Sequence, residues 1–242
     1  MATVSWSEFE ATCARRRPRF WWRDDDAGPV TPELKRLLAL AKGTATPLAL
    51  AAVPEAAQGE LFRLLHDGVT VLQHGTDHRN RAAAGEKKTE YPAAEPIEEA
   101  LARVSDGFGT LRALAGPRFH PVLAPPWNRV RKDLLRKLSA IGIRGVSGYG
   151  ARAGAEPAPG LRQVNTHVDI VAWRRGRRFV GEAEALSKAM ELLNTEEPLG
   201  WLTHHAVHDE AAWDFLERLL SLKTVRWLSA EEAFSYTRAA HG

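Results

Sequence analysis

Arg19-Phe20-Trp21-Trp22-Arg23-Asp24-Asp25-Asp26 is the stretch on which the reading of this 242-residue chain turns. Its first five residues are apolar and aromatic enough for a buried strand, and three carboxylates follow without a spacer. Like charges a few ångströms apart repel, and burying even one of them requires a partner or a metal. In α/β barrels, chemistry sits at the C-terminal ends of the strands, where this acidic run would lie.

Working outward, short apolar runs alternate with amphipathic helical patterns. Thr31 as N-cap and Pro32 at the first helical position open a helix running to about Lys42. Further strands are expected at 46–52, 69–73, 119–124, 143–147, 199–204 and 225–228, with 161–173 extended. Helices are expected at 55–67, 96–115 (weak at Gly107 and Gly109), 130–141, 182–194 and 210–222. Ser229-Ala230-Glu231-Glu232 fits a capping box for a last helix. The glycine-, alanine- and proline-rich stretch 148–160 reads as a loop. This alternation predicts a parallel sheet with helical crossovers. The number of units favours one closed α/β barrel domain over residues 1–242, without a linker.

Composition narrows the class. Hydrophobic residues make up 44% and charged residues 26% of the chain, an ordinary globular balance, and the formal net charge is only +3. The arginine groups 15–17 and 174–178 read first as solvated surface, and no nucleic-acid recognition motif accompanies them. A single cysteine, Cys13, excludes an intramolecular disulfide framework and fits a reducing compartment. There is no signal-peptide pattern and no apolar run of membrane-spanning length, so a cytoplasmic location with no membrane partner is expected.

Three polar groups fall where expected strands stop. His74-Gly75-Thr76-Asp77-His78 offers two imidazoles four residues apart, Pro125-Pro126-Trp127 follows a strand, and Leu202-Thr203-His204 ends another. A hydrolytic mononuclear metal needs about three protein ligands and an open position. Two histidines and a carboxylate meet that need and suit zinc, with cobalt, manganese or nickel as other candidates. One acid of the run would hold the metal while its neighbour takes a proton from water whose pKa the metal lowers. Without the histidines, the acids would read as a surface turn or a magnesium or calcium site. His204 is the candidate general acid; His205 would face the other way, because strand side chains alternate. His167 and Asp169 share one strand face, with Asp169 placed to orient a histidine of the site.

Taken in order, these motifs resemble those of the NodB-homology polysaccharide deacetylases, carbohydrate esterase family four. The resemblance spans residues 20 to 206. It implies a distorted barrel of about seven βα units, a divalent metal, and an N-acetylated sugar or related amide as substrate. The family's Asp-Asp motif matches Asp25-Asp26, base then ligand, although the triple run also fits the register Asp24-Asp25. Its two-histidine motif supplies His74 and His78 as ligands, with Gly75 where the family has a hydroxyl residue. The Arg-x-Pro-aromatic motif matches Ala124-Pro125-Pro126-Trp127 without its arginine, which in the family pairs with the base; Arg23 and Arg129 are candidate replacements. Asp169 and Trp173 match the fourth motif, and His204 the histidine of the fifth. Trp127 and Trp173, with Pro126 and His167, are the expected substrate contacts. Two rivals follow: a non-catalytic binding member of the fold, motivated by the missing arginine, and a metal-dependent phosphoester hydrolase, motivated by Arg174–Arg178.

Overall fold

In the computed structural model, which describes residues 3–195 and 197–235, the chain builds one curled, mostly parallel sheet wrapped by helices. The elements in chain order are α1 (Trp6–Arg16), β1 (Arg19–Ala27), α2 (Pro32–Thr44), β2 (Leu48–Ala52), α3 (Gly59–Leu64), β3 (Val69–Gln73), α4 (Ile97–Ala115), β4 (Phe119–Leu123), α5 (Lys132–Leu138), β5 (Gly145–Val146), β6 (Arg162–Gln163), β7 (Val168–Asp169), β8 (Val171–Ala172), β9 (Arg178–Phe179), α6 (Glu182–Leu192), β10 (Leu199–Thr203), α7 (Glu210–Leu220), β11 (Arg226–Leu228) and α8 (Ala230–Ser235). The sheet runs β6-β5-β4-β3-β2-β1-β10-β7. A single extended stretch carries both β6 and β7, pairing with β5 at its start and β10 at its end. The two ends of the sheet thus meet on one length of chain. With that stretch counted once, the circuit has the expected seven strands. β11 wedges against the first half of β1, on the edge whose second half is taken by β2.

β1 is buried on both faces, which is why its aromatic run shows no alternation. Phe20 and Trp22 pack outward against α1, α2 and α7, in the cluster that holds Phe9, Leu34, Leu37, Trp201, Phe215 and Leu216. Trp21 points inward, among Ala49, Ala51, Leu72, Val122, Ala124 and Phe234. Small residues on β2 leave room for that indole, whose N–H donates to the Asn165 carbonyl. Phe234, on α8, closes the cluster.

Several elements depart from expectation. β1 continues through the acidic run to Ala27, so the three aspartates lie within the strand instead of after it. α1 has a complete capping box between Ser5 and Glu8 that the opening residues did not make evident. α4 runs unbroken past Gly107 and Gly109, and Gly107 is a close contact where a Cβ would lie 2.7 Å from Gln73 Nε2. α3 is shorter than 55–67. The stretch 161–173 is broken, with β8 pairing antiparallel with β9 in a small hairpin. The box at Ser229 and Glu232 forms as expected. No described helix is long and apolar enough to cross a membrane.

Candidate active site

Strand alternation sorts the three aspartates. Asp24 faces the helical layer, where His205 Nδ1 lies 2.5 Å from its Oδ1 while the Thr203 hydroxyl (2.6 Å) and the His205 N–H (3.0 Å) donate to its Oδ2. Thr203 in turn accepts from the Trp22 indole. Burial alone would raise the Asp24 carboxyl, but His205 and Thr203 hold it below the usual range. Every partner of Asp24 belongs to the packing between β1 and β10.

Asp25 faces the barrel interior beneath the mouth. Arg23, two residues back on the same face, donates to both its oxygens, Nε to Oδ1 at 2.8 Å and Nη2 to Oδ2 at 2.9 Å. The guanidinium is completed by the Ser147 carbonyl and hydroxyl and by Asn128 Oδ1. Of the two arginines considered for the place left by Ala124, it is therefore Arg23 that grips Asp25; Arg129 donates to the Lys88 carbonyl instead. A bidentate fork of this kind fixes a carboxylate's plane as well as its charge.

Asp26 breaks the alternation. Between Asp24 and Ala27 the register with β2 slips by one residue, and Asp26 adopts φ +67°. This bulge in a left-handed conformation swings its carboxylate over the sheet edge toward β3. There His74 Nε2 and His78 Nε2 lie 3.0 and 3.1 Å from Asp26 Oδ1. Both imidazole nitrogens thus face the same carboxylate oxygen. Three ligand atoms within 4.8 Å of one another, two imidazole nitrogens and a carboxylate oxygen, are spaced to hold one divalent cation. Two nitrogens and one carboxylate oxygen suit a transition metal.

The His74–His78 loop is held by a residue that the sequence reading passed over. Glu90, fully buried, accepts the backbone N–H groups of Thr76 (2.9 Å) and Asp77 (3.2 Å) through Oε1. Its other oxygen lies so close to Gly75 that a Cβ there would sit 2.0 Å away, and 2.6 Å from the Pro126 ring. Gly75 also has φ +62°, and Gln73 Nε2 donates to its carbonyl. The loop can therefore carry no side chain at this position. Burial raises the Glu90 carboxyl, although the two amides it caps oppose this. Nothing in its local sequence, Thr89-Glu90-Tyr91, distinguishes Glu90 from a surface acid.

Across the mouth, His204 Nε2 stands 3.9 Å from Asp25 Oδ2, and its backbone N–H donates to His208 Nε2. Trp173 packs edge-on against the His204 ring at 4.6 Å, and Trp127 lies tilted against the His78 ring at 4.6 Å. The two indoles flank the centre. Pro126 is buried behind Gly75. The two residues expected to share a strand face are placed differently. Asp169 does not hydrogen-bond a histidine: its oxygens take the Val171 N–H and the Trp173 indole N–H at 2.9 and 2.8 Å. It acts on His204 through Trp173, which packs on that ring, and through its charge, since burial raises the Asp169 carboxyl while His204 opposes this. His167 does not reach the centre, because its Nδ1 accepts the Gly200 N–H and the charges near it are Glu197, Arg152 and Lys188. Its face on the strand is shared with Asp169, but backbone pairing consumes the ring.

No protein-family model matches the sequence, and no curated protein matches it. Solved structures do match in fold. A family 4 carbohydrate esterase from Streptomyces lividans in complex with acetate superposes with a TM-score of 0.57 at 14% identity, covering 86% of this chain and 91% of that one. A polysaccharide deacetylase from Bacillus cereus gives 0.58 at 15% identity, covering 92% and 96%. A mutant of a CE4-family pseudoenzyme with restored activity gives 0.60 at 13%, covering 93% and 70%. With the strand circuit and the mouth already described, these superpositions show that the chain has the curled α/β barrel fold of the carbohydrate esterase family 4 deacetylases.

Proposed function

We propose that this protein is a metal-dependent hydrolase that removes an acetyl group from an N-acetylated sugar or a related amide, cleaving a non-peptide C–N bond. The observation carrying this reading is the convergence at one barrel mouth of the Asp26–His74–His78 triad with Asp25 and His204. A divalent metal on the triad, zinc being the best fit to the donors, would supply Lewis-acid polarisation of the acyl carbonyl and acidify water. Asp25, its plane fixed by Arg23, takes the proton from the attacking water. His204, within 3.9 Å of Asp25, returns a proton to the leaving nitrogen. Trp173 covers one side of the His204 ring and Trp127 one side of the His78 ring. An indole so placed can pack against a sugar face.

The non-catalytic alternative was motivated by the alanine at position 124, and Arg23 removes that motive by supplying the missing guanidinium. The test is metal analysis of purified protein together with acetate release from N-acetylated sugars after zinc or cobalt is added. About one metal per chain, lost in Asp26→Asn and retained in Asp25→Asn while acetate release disappears in both, is the expected result. A wild-type chain that holds metal but releases no acetate overturns the catalytic reading; one that holds no metal overturns the whole of it.

A further inference from the structure

Beside the mouth, a groove of about 320 Å³ opens between β7, the β8–β9 hairpin and α6. It shares Trp173 with the candidate active site, so a ligand lying in it is one indole away from His204. Its floor includes the aliphatic side chains of Val171 and Val180. Two aromatic rings border it, Tyr149 at 37% and Trp173 at 42% exposure, and these are the only large aromatic side chains so exposed among the described residues. Exposed rings on a groove cost hydrophobic free energy unless something covers them.

The charges in the groove are unbalanced. Arg175 is paired with Glu184. Lys188 lies 4.7 Å from the centre of the Tyr149 ring and donates to its hydroxyl, and neither Lys188 nor Arg174 meets a carboxylate among the described residues. The one other acid in the lining, Asp169, is engaged by the Val171 and Trp173 N–H groups. The lining thus carries three cations against two carboxylates, and Arg174 and Lys188 face it without a carboxylate at ion-pair distance among the described residues. Aromatic rings suited to the C–H face of a sugar and cations suited to anionic oxygens make one combined recognition surface.

We propose that this groove binds an anionic group, phosphate or carboxylate, carried by the substrate, so that the substrate is an anionic N-acetylated saccharide and not a neutral polymer. Arg174 and Lys188 hold the anion while Trp173 and Tyr149 pack against the ring. The acetyl part of this statement rests on the deacetylase reading, but the anion site stands on the groove alone and is tested without turnover.

The test is calorimetric titration of the zinc-loaded protein with glucosamine 1-phosphate, glucosamine 6-phosphate and muramic acid, each compared with glucosamine. These amines are already deacetylated, so their binding is independent of catalysis. At least one anionic sugar should bind about tenfold or more tighter than glucosamine. The preference should narrow as salt is raised. In Arg174→Ala/Lys188→Met, checked for an unchanged melting temperature, the ratio of anionic to neutral affinity should fall to near unity. A phosphate sugar alone or muramic acid alone showing the preference identifies which anion is read. Equal binding of anionic and neutral sugars, no measurable binding of any anionic one, or a preference that survives in the double variant overturns the proposal. Acetate release that fails on every acetylated sugar while the binding preference holds would overturn the deacetylase reading and leave the anion site intact.

Discussion

Arg23→Met removes the cation that holds Asp25 while keeping an unbranched apolar stem in the barrel. Arg23 is fully buried and Asp25 is 1% exposed, so water cannot take the arginine's place without opening the mouth. The substitution strands the Asp25 carboxylate and leaves the Ser147 carbonyl and Asn128 Oδ1 without their donor. Breaking a buried pair by removing one partner costs about 3–5 kcal/mol. For a domain of this size each kcal/mol corresponds to roughly 2–4 °C, which places the fall in melting temperature at about 6–20 °C. Urea unfolding followed by tryptophan fluorescence measures it directly. Arg23→Met/Asp25→Asn removes the stranded charge as well, so the double variant should be less destabilised than the sum of the two singles by about 2 kcal/mol, a coupling that a cycle of four proteins isolates. A single variant within about 1 kcal/mol of wild type, or a double variant destabilised by the sum of the singles, would refute the claim that Arg23 compensates Asp25.

Gly75→Ala should destabilise by about 2–5 kcal/mol, combining a left-handed residue with overpacking against Glu90 and Pro126. It should also weaken zinc binding, and an unaltered melt with unaltered zinc affinity counts against the loop argument. Burial pushes the His208 imidazole down to about 4, opposed by Asp24. The unfolded chain therefore binds more protons between about pH 6.5 and 4, and stability is lost as pH falls through that window, by at most about 3 kcal/mol. Urea midpoints at the two ends should differ less in His208→Gln, which keeps an acceptor for the His204 N–H; equal differences in both proteins exclude the assignment. Cys13, whose thiol burial and then Glu10 push up to about 12, should resist a disulfide reagent near pH 8 until the chain unfolds, and rapid labelling of the native protein would contradict its burial.

Strand–helix alternation made the barrel legible, because period and turn chemistry are local properties. The third strand at 69–73 and the helix ending at Ala115 coincide with expectation for that reason. The helix α1 went unread although Ser5 and Glu8 cap it, since a short helix before the first strand has no alternation to announce it. His74, His78 and His204 were visible as candidates from their places at expected strand ends together with the acidic run, and the structure brings all three to one mouth. His167 looked equivalent to Asp169 by periodicity, yet a backbone N–H from the neighbouring strand occupies its ring.

The sequence by itself determined which residue types meet at the strand ends: an acidic run, a pair of histidines and a late histidine. Only tertiary structure decided where each aspartate points and what it meets. A strand buried on both faces carries no hydrophobic alternation, so neither the inward turn of Asp25 nor the outward turn of Asp24 can be read from Phe20-Trp21-Trp22. The register slip against β2 then turns Asp26 to the histidines. The same holds for Arg23 and Glu90. Their partners lie on other strands and loops, as Ser147 and Asn128 do for Arg23 and the Thr76 amide for Glu90. A charge becomes a support only when the fold removes water from around it and leaves one partner within reach.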